Sequence, residues 1–99
     1  MASNRALQLR FHFNEEAGHA HVHLHGVDEA EVAEVLAAPI EDGVGQEGAR
    51  IAVGQTDAGR YLKVIYVPDL DGEGAFVITS FSLGPKALKA LRRRIRRRQ

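Results

Sequence analysis

Four histidines stand at alternate positions, His19, His21, His23 and His25, directly before Gly26-Val27. An unperturbed imidazole titrates at about 6.5, so such a group can take or give a proton at neutral pH. Two isolated arginines, Arg50 and Arg60, follow in the middle of the chain. A guanidinium can clamp a phosphate with two parallel hydrogen bonds. Together these types suit metal-free RNA cleavage. That reaction needs a base for the 2′-hydroxyl, an acid for the leaving oxygen and cations for the phosphate. His21 and His25 are the candidate base and acid, Arg50 and Arg60 the candidate cations, and Tyr61 or Tyr66 a surface on which a base could stack. Each has a plainer reading. His25 can cap a helix end, His21 can sit at a core edge, and Arg60 can pair with Asp57 or with an acidic helix.

The same histidines carry a second chemistry. Imidazoles one helical turn apart can chelate a transition ion, with Glu15 assisting, and a strand would set His19, His21, His23 and His25 on one face. There is no HExxH pattern and no cysteine, so neither a thiolate zinc site nor a disulfide exists. No cofactor is called for.

A third chemistry lies at the end of the chain. Five of the 13 basic residues and all 13 acidic residues fall within 1–85, so that part carries −8 and residues 86–99 carry +8. A basic arm on an acidic body points to nucleic acid or an acidic partner. Lys86, Lys89, Arg92, Arg93 and Arg96 are the candidate phosphate contacts.

These groups must be positioned by a small scaffold. Ninety-nine residues, 44% hydrophobic and 26% charged, suit one soluble globular domain spanning 1–99. No apolar run is long enough to span a bilayer, and the first ten residues lack the apolar core of a secretory signal. The expectation is a cytoplasmic protein with no membrane association.

Leu7, Leu9, Phe11 and Phe13 alternate with polar residues, the pattern of a half-buried strand. Residues 14–24 have two readings. As a helix, Phe13, Ala17, Ala20, Leu24 and Val27 form one stripe, Asn14 caps the start and Gly26 the end. As a strand, the histidines line one face of a hairpin with residues 7–13. Capping, stripe and stop agree, which favours the helix. Asp28 with Glu31 three residues on makes a capping box, opening a second helix that buries Val32, Val35 and Leu36 and ends before Pro39. Residues 41–48 read as a glycine-rich loop. Residues 50–54, 61–67 and 76–81 read as three strands with short links, cheapest as an antiparallel meander. Pro85 then opens a basic helix over 85–98, striped by Leu88, Leu91 and Ile95. The expected fold is two-layer α+β, in the order β-α-α-β-β-β-α, with an antiparallel sheet and its helices on one face.

In residues 11–36 the chain resembles BrnT-type proteins, the toxins of toxin–antitoxin pairs. His25-Gly26-Val27 stands where that family has His-Gly-Val, and Phe13-Asn14 where it has Trp-Asp. Arg50-Ile51, Gly54, Gly59-Arg60 and Phe76-Val77-Ile78-Thr79 match more loosely. Leu24, Gln55 and Ser80-Phe81 depart from the family at places where basic residues are usual. The resemblance implies a small bacterial ribonuclease related to the RelE group, neutralised by an antitoxin protein. The expected function is therefore a toxin-like protein acting on RNA, by cleavage or by binding. The alternatives are a non-catalytic domain that holds nucleic acid or an acidic protein through its basic helix, and a histidine-cluster metal binder. RNA and an antitoxin are the expected partners, and a homodimer is compatible with the sequence.

Overall fold

Strong alternation of β-branched and aromatic residues builds the central strands. In the computed structural model, which describes residues 8–16 and 18–98 (the side chains of His19, His21 and Leu24 excepted), the first described element is β1 (Gln8–Phe11). Two short arms follow, β2 (Phe13–Asn14) and β3 (His19–Ala20), then a 3-10 turn at His21–His25 and helix α1 (Glu29–Ala37). Next come β4 (Glu41–Val44), β5 (Arg50–Gln55), β6 (Tyr61–Pro68), β7 (Gly74–Ser82) and helix α2 (Pro85–Arg98).

The architecture is α+β. Five strands form one mixed sheet in the order β1-β7-β6-β5-β4. The expected meander is present in β5, β6 and β7, with Gln55 opposite Tyr61 and Ile65 opposite Thr79. Two features were not expected. Residues 41–44 are a strand, not a loop, and pair antiparallel with β5 from Glu41 opposite Val53 to Val44 opposite Arg50. The first strand is parallel to β7, running from Gln8 opposite Gly74 to Phe11 opposite Val77. A parallel neighbour needs a long crossover. Here the crossover is everything from β2 to β6.

The helix expected over 14–24 is absent. Gly18 adopts φ 77°, a left-handed conformation that ends any helix there, and its N–H bonds Asn14 O at 2.9 Å to close a tight turn. Histidine and valine are also weak helix formers, so nothing local outweighs that turn. Phe13, expected at the head of a buried stripe, is 55% exposed. The hairpin alternative is realised only in its two-residue arms, Phe13 opposite Ala20 and Asn14 opposite His19. The turn His21–His25 then packs against β7. Gly26 stops it at φ 70°, as expected from the sequence.

The strands of the sheet have two faces by alternation. On one face lie Ala52, Gly54, Leu62, Val64 and Tyr66, under α1. Val32 and Val35 of α1 are fully buried there, with Val22, Val27 and Val77 in the same core. Glycine is required at position 54: a Cβ there would lie 2.9 Å from Val35 Cγ1. On the opposite face lie Glu41, Val53 and Lys63, which are in register with one another. Helix α2 sits on this side, with Leu91 wholly buried and Arg94 bonded to Glu41. The two helices therefore flank the sheet, contrary to the expectation that they share a face. A sheet with apolar residues on both faces has to be covered on both.

Candidate functional site

Helix α1 starts where its capping box predicts, with the Asp28 N–H donating to Glu31 Oε1 at 3.0 Å. The same carboxylate receives Arg60 Nη1, at 3.0 Å to Oε1 and 3.3 Å to Oε2. Arg60 follows the turn closed by Thr56 N–H to Arg60 O at 2.8 Å. Its guanidinium also donates to Gly26 O at 2.8 Å and to Ser82 Oγ at 2.9 Å. One arginine thus ties the end of the 3-10 turn, the first turn of α1 and the end of β7. The acidic-helix reading of Arg60 describes what the side chain does.

The structure brings Arg60 and His25 to the same end of the sheet but not into one cleft. Arg60 touches the backbone of Gly26, the residue after His25, and Ser82. The His25 ring stands edge-on to Phe81, with centroids 5.9 Å apart. Phe81 and Ser82 are successive residues of β7, so they point to opposite faces. The cleft beside Arg60 is lined by His23, Gly26, Val27, Asp28 and Glu31. His23 is the imidazole that shares it, with Nε2 at 4.0 Å from Glu29 Oε2. The even spacing of the histidines does not single out His23; the 3-10 turn at His21–His25 does. The His21 side chain lies outside the described residues.

Arg50 lies at the other end of the same strand pair. Arg50 is opposite Tyr66, whereas Arg60 precedes Tyr61, which is opposite Gln55. Six residue steps of strand separate them, roughly 20 Å at 3.3 Å per residue. Arg50 Nε donates to Asp42 Oδ1 at 3.1 Å and Nη2 to Asp42 O at 3.2 Å. The hydrogen bond and charge of Asp42 hold the guanidinium pKa above its ordinary value. Tyr66 donates its hydroxyl to Asp42 Oδ2 at 2.8 Å and is 9% exposed, so it offers no stacking surface. Both candidate phosphate cations are therefore neutralised by a carboxylate of the chain, and they cannot clamp one phosphate together.

No group of three or more metal-binding side chains occurs among the described residues. The four-histidine metal reading rests in part on His19 and His21, whose side chains fall outside them.

The basic helix is arranged differently. Arg94 Nε and Nη2 reach the two carboxylate oxygens of Glu41 at 2.8 and 2.9 Å, and Arg98 Nη2 adds a bond at 2.6 Å. Leu91 is buried and Leu88 and Ile95 are half-buried on the same side. At 3.6 residues per turn, Arg92, Arg96, Lys89, Arg93, Lys86 and Arg97 then fall on one outward arc of roughly 140°. All six are exposed. Lys86, Lys89, Arg92, Arg93 and Arg96 were expected here; Arg97 joins them. Sequence periodicity alone could have separated the two inward arginines from the outward ones, because Arg94 and Arg98 follow Leu91 by three and seven residues.

Compared with known protein families, with curated proteins and with solved structures, the chain matches none. No helix among the described residues is long and apolar enough to cross a membrane.

Proposed function

We propose that this protein is a non-enzymatic nucleic-acid-binding domain that grips phosphate through the outward face of α2. The observation that carries the reading is the division of labour on that helix. Arg94 and Arg98 are spent on Glu41, while six further cations face outward as a single ridge. A helix of 14 residues is about 21 Å long, enough to follow several consecutive phosphates. The acidic body does not neutralise this ridge: its one contact to α2 among the described ion pairs is Glu41. Binding of this kind is driven by counterion release and has little sequence preference. RNA is the class implied by the resemblance to BrnT-type toxins, and it is the probe of first choice.

Cleavage is the weaker reading for this geometry. Arg50 and Arg60 are ion-paired at opposite ends of a ladder, and His25 packs on Phe81 away from the Arg60 cleft.

The test is a salt titration of binding to a single-stranded RNA. Six phosphate contacts predict a slope of log Kobs against log salt of roughly −4. The pair Arg92→Ala and Arg93→Ala lowers affinity and flattens the slope by roughly 1.4, with the fold intact. An absence of binding at low salt, or an unchanged slope in the double variant, overturns the proposal. Degradation of the RNA by the purified chain, lost on His25→Ala, would restore the enzymatic reading.

A further inference from the structure

The outward cations of α2 form two rows. By helical period, Lys86, Arg93 and Arg97 fall on one flank of the exposed arc and Lys89, Arg92 and Arg96 on the other, the row centres roughly 90° apart around the axis. All six are exposed. Among the described ion pairs, Arg94 and Arg98 are the members of α2 that take part, so both rows are clear of carboxylates. Leu91, buried on the far side, and the bonds to Glu41 fix the rotation of the helix and hence the direction of both rows. Helix α2 contains no aromatic residue. Phe13, the exposed phenyl ring among the described residues, belongs to the β2–β3 hairpin. Proteins that hold single strands combine a cationic track with aromatic rings on which bases stack. The track is present on α2 and the rings are not.

We infer that α2 lies in the major groove of a B-form DNA duplex, with one row of cations on the phosphates of each groove wall. The inference rests on the phosphate-gripping reading of α2 and specifies the form of its ligand. A helix with its side chains is roughly 10–12 Å across, and the B-form major groove, about 12 Å wide, admits one. The B-form minor groove is about half as wide, and the A-form major groove of duplex RNA is too deep and narrow to enter. A single strand has one line of phosphates, so it leaves one of the two rows without a matching wall. Lys89 and Arg93 stand at the middle of the arc and face the groove floor, where guanine N7 and O6 accept hydrogen bonds. The rest of the molecule sets the side of approach. Residues 1–85 carry −8, and α1, with Glu29, Glu31 and Glu34, covers the other face of the sheet, so phosphate is repelled there and drawn to α2.

The test uses the full chain with a short mixed-sequence DNA duplex, one of its single strands, and an RNA duplex of the same sequence. Six phosphate contacts predict a salt slope of roughly −5 on the DNA duplex against −4 on the single strand, which makes the duplex about tenfold tighter at about 0.1 M salt. Methylation of guanine N7 by dimethyl sulfate reads the groove directly, and the bound chain should protect N7 in the duplex. Two paired variants read the two rows. Arg92→Ala with Arg96→Ala thins one row and Arg93→Ala with Arg97→Ala the other, and each should flatten the duplex slope by roughly 1.8. All four sites are exposed and alanine favours helix, so a thermal melt should show the fold unchanged. Equal or tighter binding of the single strand or of duplex RNA, unprotected N7 in the bound duplex, or a full slope after thinning either row would overturn the inference while leaving the phosphate-binding reading in place. Failure to bind any of the three at low salt would overturn both.

Discussion

Arg94 reaches both carboxylate oxygens of Glu41 across 53 residues, fastening the last helix to the edge strand. A two-point contact fixes orientation as well as distance. Arg98 adds a third bond to the same carboxylate from one helical turn further on. The ridge of outward cations is presented in one orientation because these inward ones are pinned.

That contact sets an acid dependence. The hydrogen bond from Arg94, then the charges of Arg94 and Arg98, outweigh partial burial and hold the Glu41 carboxyl below its ordinary value of 4.5. A carboxyl with a lower pKa in the folded state binds fewer protons there than in the unfolded chain. Its contribution is therefore complete above about 4.5 and is lost as pH falls through the lower, folded value. Both arginines are half exposed, so the effect is small, about 0.5–1 kcal/mol. Glu41→Gln should remove this part of the acid dependence of urea unfolding and loosen the amides of the last turns of α2.

Gly54 is the closest approach of sheet to helix. A methyl group there meets Val35 Cγ1 at 2.9 Å, and Val35 has no exposed surface into which to move. Gly54→Ala should destabilise the fold by about 1–3 kcal/mol. Adding Val35→Ala should recover part of the loss, a non-additivity that a thermal melt of the two single variants and the double would reveal.

Arg60 holds three segments at once. Arg60→Ala leaves Gly26 O without this donor and strips the Glu31 carboxylate of its ion-pair partner, though not of the Asp28 N–H, a cost of about 1–2 kcal/mol. Arg60→Lys should recover little, because one ammonium cannot satisfy Gly26, Glu31 and Ser82 from a single plane. RNA affinity should be unchanged in both variants, measured beside stability. A loss of RNA binding with full stability would return Arg60 to the ligand site.

Tyr66 makes the far end of the sheet sensitive to alkali. Burial, followed by the hydrogen bond and charge of Asp42, raises its phenol above the ordinary 10.0. A group whose folded pKa is raised stabilises the fold below its unfolded value and ceases to do so as pH rises through the folded one. Stability should therefore decline above about pH 10 in the native chain, and less steeply in Tyr66→Phe. Denaturant melts across that range check the difference.

Local pattern carried much of this molecule. The three meander strands, the Asp28–Glu31 capping box, the stop at Gly26, Pro85 as the first residue of α2, and the stripe through Leu91 all follow from alternation, caps and helical period. These are short-range signals, decided by the residue and its few neighbours. The outward cations of α2 belong with them, since one buried leucine sets the phase of the whole helix.

What the tertiary structure alone decided depends on partners distant in sequence. Residues 41–44 look like a loop until β5 supplies a ladder for them. Residues 14–24 satisfy a helical pattern, yet the turn at Gly18 and the edge of β7 claim them. β1 runs parallel to β7 because its apolar residues Leu9 and Phe11 find the core there. Arg50 and Arg60, whose side chains suit a phosphate clamp, are placed by strand register at opposite ends of one ladder and met by Asp42 and Glu31. Register is a property of paired strands, and no single segment contains it.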